Sequence, residues 1–94
     1  MDVSEATTLL EAVFRDAFRR KLHTQAPAYA ASLAAIRGAT AALTIALKAA
    51  GATPEAVVLD VKRIARATGG IDYPRDLVAV AMTEAIASYF REHP

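Results

Sequence analysis

Apolar positions recur every three or four residues in four stretches of this chain, and helix-start and helix-stop residues separate them. The first stretch, residues 4–23, puts Ala6, Leu10, Val13, Phe14 and Ala17 on one face. Ser4 reads as its N-cap, and Glu5 suits the positive end of the helix dipole. Glu11–Arg15 and Asp16–Arg20 are acid-first pairs four apart on the other side. Arg19, Arg20, Lys21 and His23 crowd the C-terminal end, where cations suit the dipole.

The second stretch, residues 27–50, begins at Pro27, which suits a first helical turn, and stops at Gly51. Tyr29, Leu33, Ile36, Thr40, Leu43, Leu47 and Ala50 alternate spacings of four and three, a heptad seam broken once by a hydroxyl. Small residues also recur every fourth position: Ala26, Ala30, Ala34, Gly38, Ala42, Ala46 and Ala50. Such a ridge lets a second backbone approach closely, and it predicts close packing or a kink at Gly38. Only Arg37 and Lys48 are charged, so the pattern predicts a helix at the centre of the structure, packed on two sides.

The third stretch, residues 54–68, opens on the cap Thr53 with Pro54 in the first turn, and Gly69-Gly70 stop it. Its stripe is Val57, Val61, Ile64, Ala65 and Thr68, with Leu59, Lys62, Arg63 and Arg66 opposite. The last stretch, residues 74–92, follows a cap at Asp72 or Tyr73. Its stripe is Val78, Met82, Ala85, Ile86 and Tyr89, while Thr83, Ala87 and Arg91 face away. The linkers are short and imply antiparallel neighbours. The expectation is a single all-α domain over residues 1–94, a compact four-helix bundle with the second helix central.

Composition narrows the function more by exclusion than by selection. The chain has 94 residues and no Cys, so neither a disulfide framework nor a cysteine metal site is available. A domain this short buries only about 60–65% of its unfolded surface, so its core is thin. Net charge is +1, which argues against an overall basic coat for nucleic acid. The acidic start is unlike a secretory leader, and the longest charge-free run, residues 22–36, is mostly alanine. These features predict a soluble, cytoplasmic protein without a membrane span. Arginine in preference to lysine, with abundant alanine, matches a GC-rich bacterial coding bias.

Candidate chemistry is sparse. His23 and His93 lie at helix ends with no carboxylate three or four residues onward, so no metal or other cofactor is expected. Ser4, Ser32 and Ser88 have no histidine nearby in sequence. The cluster Asp72-Tyr73-Pro74-Arg75-Asp76 holds acid–base groups, but capping and a local ion pair account for it. No catalytic residues are assigned, and the chain is not expected to be an enzyme.

Binding is the reading that the pattern favours. Leu59 stands among Lys62, Arg63 and Arg66 on the outer face of the third helix, an aliphatic residue ringed by charge. Those four residues are the expected contact for a protein partner. The second helix offers more apolar surface than its neighbours can cover, with Phe18, Leu22, Ile45 and Phe90 off the main stripes, so a homodimer is expected. The chain then acts as a small regulatory or adaptor protein. The alternative is a helix-turn-helix transcriptional regulator, since Gly51 and Val57 have suitable spacing, the same face offers Lys62, Arg63 and Arg66, and Arg19, Arg20 and Lys21 could meet a DNA backbone. Against it, the start of the third helix offers Pro54, Glu55 and Ala56 where a recognition helix needs base-reading side chains.

Overall fold

A computed structural model describes residues 1–20, 27–69 and 75–91, and these form four helices. They are α1 (Val3–Arg20), α2 (Pro27–Ala49), α3 (Pro54–Gly69) and α4 (Arg75–Phe90). The fold is an all-α four-helix bundle, with the boundaries close to those expected. The start of α1 is a correction. Asp2, not Ser4, caps it: the Glu5 amide donates to Asp2 Oδ1 at 2.8 Å and the Ala6 amide to the Asp2 carbonyl at 3.0 Å. Aspartate and serine cap about equally well, so packing chose the earlier start, which brings half-buried Val3 onto the core. The proposed caps Asp72 and Tyr73 and the residues Lys21, Leu22, His23 and His93 lie outside the described residues.

The turn between α2 and α3 follows its sequence signals closely. Gly51 has φ +94°, a conformation that favours glycine. The Ala52 amide donates to the Leu47 carbonyl at 3.0 Å and the Gly51 amide to the Lys48 carbonyl at 3.0 Å, the paired bonds of a Schellman stop. Thr53 Oγ1 then accepts from the Ala56 amide at 3.2 Å and caps α3.

Around the bundle the helices run α1, α2, α4, α3. Helix α2 packs on two sides, against α1 and α4, and these are the most extensive contacts in the fold. Helices α2 and α3 share the short turn yet meet least of all the packed pairs, because they lie diagonally across the bundle with α1 and α4 on either side. Sequence neighbours are therefore not always spatial neighbours here. A tight turn fixes where two helix ends meet, and it leaves the helices free to diverge beyond it.

Leu10, Phe14, Ile36, Leu43, Val57, Val61 and Ile64 fill the core, and Phe18, half-buried, stacks on Phe14 with ring centroids 5.2 Å apart. Phe18 is thus part of the packing rather than free surface. The seam of α2 is buried at Ile36, Thr40 and Leu43, as its spacing predicts. The alanine ridge is not: among its described members Ala30, Ala34, Gly38 and Ala50 are exposed, Ala42 is half-buried and only Ala46 is buried, while Ala26 lies outside the described residues. No atom lies within 4 Å of where a Cβ at Gly38 would stand, so no neighbour approaches there. The ridge winds around the helix, and two packed sides cannot cover it.

The buried stripe of α4 is also rotated from the expected one. Leu77, Val78, Ala81, Ala85 and Ser88 are buried, whereas Ile86 is 49% exposed. Helix α4 is apolar nearly all round, so its spacing alone does not choose a face. Wedged between α2 and α3, it buries Leu77 and Val78 in its first turn and the smaller Ala81, Ala85 and Ser88 beyond, and leaves Ile86 in the groove it forms with α3. By length and a mean hydropathy of 1.5, residues Ala28–Ala49 would suit a membrane span. In this fold they make the helix flanked by α1 and α4, an arrangement compatible with a soluble protein.

Candidate protein-binding groove

Among the described residues, three of the six large exposed apolar side chains, Leu59, Ile86 and Phe90, gather where α3 begins and α4 ends, whereas Met1, Leu9 and Ile45 are exposed outside that groove. Leu59 is 64% exposed and Phe90 66%, values that set both apart from any core role. With Ile86, Val58, Pro54 and Glu55 they line an open groove of about 620 Å³ between the two helices. Glu55 is its one acidic lining residue.

Local structure explains why these residues meet. Pro54 and Glu55 sit in the groove because Thr53 starts α3 beside the α2–α3 turn. The last turn of α4 is drawn to the same place by Tyr89. Its hydroxyl donates to the Ala52 carbonyl at 2.7 Å, and its own carbonyl accepts from Lys48 Nζ at 2.6 Å. The Lys48 ammonium also stands 4.9 Å from the centroid of the Tyr89 ring. Tyr89 and Phe90 meet edge to face, with centroids 5.2 Å apart. The groove wall thus rests on an aromatic anchored by two hydrogen bonds.

Of the four residues expected to bind a partner, the groove takes Leu59 directly. Lys62 is half-buried and Arg66 exposed. At three and seven residues past Leu59, they continue its line along the helix. Arg63 stands apart: its Nε and Nη2 bond Asp60 Oδ1 at 3.0 and 2.6 Å, which holds it on the other side of Leu59 from Val58. Of the residues in the DNA-binding alternative, Arg19 is exposed and paired with Asp16 at 2.9 Å. The side chain of Arg20 and all of Lys21 lie outside the described residues. The structure therefore does not bring these cations to the groove.

Sequence reasoning left Ile86 in the core, read Pro54 and Glu55 only as parts of a helix start, and did not single out Val58. Phe90 was legible as an off-stripe aromatic, and its pairing with Leu59 was not. Several polar side chains elsewhere are already partnered. Glu84 Oε2 accepts from Ser88 at 2.7 Å and from Arg91 at 3.2 Å, and Asp76 accepts from the Tyr29 hydroxyl at 3.1 Å. That last contact raises the Tyr29 pKa above its usual 10.0, chiefly through the hydrogen bond to Asp76. Among the described residues, no three of the His, Asp and Glu side chains gather as a metal site. Compared with known proteins, the chain matches no family model, no curated protein and no solved structure.

Proposed function

We propose that this chain is a non-catalytic, cytoplasmic protein-binding module, regulatory or adaptor in role, that docks a protein on the groove between α3 and α4. One observation carries the reading: Leu59, Ile86 and Phe90 are all large, apolar and exposed, and they share one groove. Scattered single exposed leucines are ordinary, whereas a cluster framed by charge has the composition of a binding surface. Glu55 at one end, with Lys62 and Arg66 beyond Leu59, supplies that frame.

Affinity capture with the tagged protein, run with nuclease and at moderate salt, tests this. Wild-type protein is expected to retain a protein partner that Leu59→Glu loses, with the helical spectrum of the variant unchanged. Identical captured sets from the two proteins would overturn the reading. Recovery of nucleic acid, or of proteins that vanish with nuclease, would instead favour the helix-turn-helix alternative through Arg19, Arg20 and Lys21. In that case binding must also fall steeply with salt.

A further inference from the structure

The outer line of α3 reads Glu55, Leu59, Lys62 and Arg66, steps of four, three and four that keep all four on one side of the helix. It has an acid at its start, an exposed aliphatic within, and bases at its end. We propose that the occupant of the groove is a second copy of this chain, with the two α3 helices lying antiparallel about a two-fold axis. This rests on the reading of the groove as a protein-docking surface and names its partner.

Self-complementarity is the argument. In a two-fold contact each residue pair occurs twice, i with j and j with i. Antiparallel α3 helices bring Glu55 to Arg66 of the second copy, and Arg66 to the second copy's Glu55. The same register lays each Leu59 on the aliphatic stem of the opposite Lys62, whose charged end stays in water. A parallel arrangement sets Glu55 against Glu55 and Arg66 against Arg66, which is unfavourable. Within one chain the pair is not available: eleven residues of helix separate the two by about 16 Å. Among the described residues neither has an ion-pair partner.

Size supports extension of the contact along this line. Six residues line the groove. A standard interface takes roughly 20–30 residues a side, so a dimer seated here must spread from Leu59, Ile86 and Phe90 over the flanking charges. The exposed apolar trio supplies its centre and the Glu55 and Arg66 positions its rim, the usual division of a stable interface.

Sedimentation of the purified protein over a range of concentrations, at low salt, tests the inference. Wild-type protein is expected to show a concentration-dependent dimer. Glu55→Arg and Arg66→Glu, each placing like charges at both symmetry-related contacts, should each weaken it about tenfold. The double variant E55R/R66E should restore it to near the wild-type value. The helix dipole disfavours both reversals, so the double variant has the least stable α3 while regaining the dimer, and rescue cannot come from folding. A protein that stays monomeric at every concentration, or a double variant no better than the single ones, would overturn the proposal. A monomer that still captures a different protein through Leu59 would remove the second copy and leave the docking surface standing. A monomer with no Leu59-dependent capture would remove both.

Discussion

The Tyr89 hydroxyl reaches across 37 positions of sequence to the Ala52 carbonyl, at 2.7 Å. This bond ties the end of α4 to the turn that starts α3, and so sets Phe90 beside Pro54 and Glu55. Tyr89→Phe removes the hydroxyl alone and keeps the ring under Lys48. It is expected to cost about 1 kcal/mol, the usual contribution of one such bond. Urea unfolding with an unchanged slope and a lower midpoint is the expected result. An unshifted midpoint would mean that water replaces the hydroxyl without loss.

Two threonines in the core should respond with opposite signs. Thr40 is fully buried and its Oγ1 has no hydrogen-bond partner, whereas Thr44 Oγ1 donates to the Thr40 carbonyl at 2.8 Å. Thr40→Val replaces an unpaired hydroxyl with a methyl group of similar size, and it should stabilise the fold by about 1 kcal/mol. Thr44→Val removes a bond already made and should not stabilise. Equal shifts in thermal unfolding would show that the Thr40 hydroxyl finds a partner in solution.

Gly38 within α2 and Gly51 at its stop differ in the same way. Gly38 lies in a helix interior with open space around it, so Gly38→Ala should stabilise by about 1 kcal/mol through helix propensity. Gly51 holds φ +94° at the helix stop, and Gly51→Ala should destabilise by about 1 kcal/mol. Melting temperatures of the two variants on either side of wild type are the expected result. A fall for Gly38→Ala would point to a close neighbour on the back of α2.

The Tyr29–Asp76 bond makes a prediction about alkaline pH. Its phenol titrates above 10.0 in the folded chain, because the protonated form donates to Asp76. The folded state thus favours the proton. Its stabilising effect is complete below the unfolded value and is lost as pH rises through the folded one. Tyrosinate absorbance should show Tyr29 titrating late, and Asp76→Asn should bring it back toward 10.0. Curves that coincide for the two proteins would remove this contact from the solution structure.

The sequence by itself determined the four helices, their principal caps and stops, and three of the four buried stripes. These are local matters: Thr53 and Gly51 act within a few residues of themselves, the polar residues of α1 and α3 mark one face of each, and the large apolar residues of α2 recur as a heptad seam among alanines. It also singled out Leu59, because charge surrounds an aliphatic at helical spacing. Only the tertiary structure decided the order of helices around the bundle, the inward face of α4, and the exposure of the alanine ridge. Helix α4 carries apolar residues on nearly every side, so its rotation was fixed by what it had to fit between. That rotation left Ile86 and Phe90 outside, and the Tyr89 anchor placed them opposite Leu59. A groove belongs to two helices at once, and neither helix's own pattern contains it.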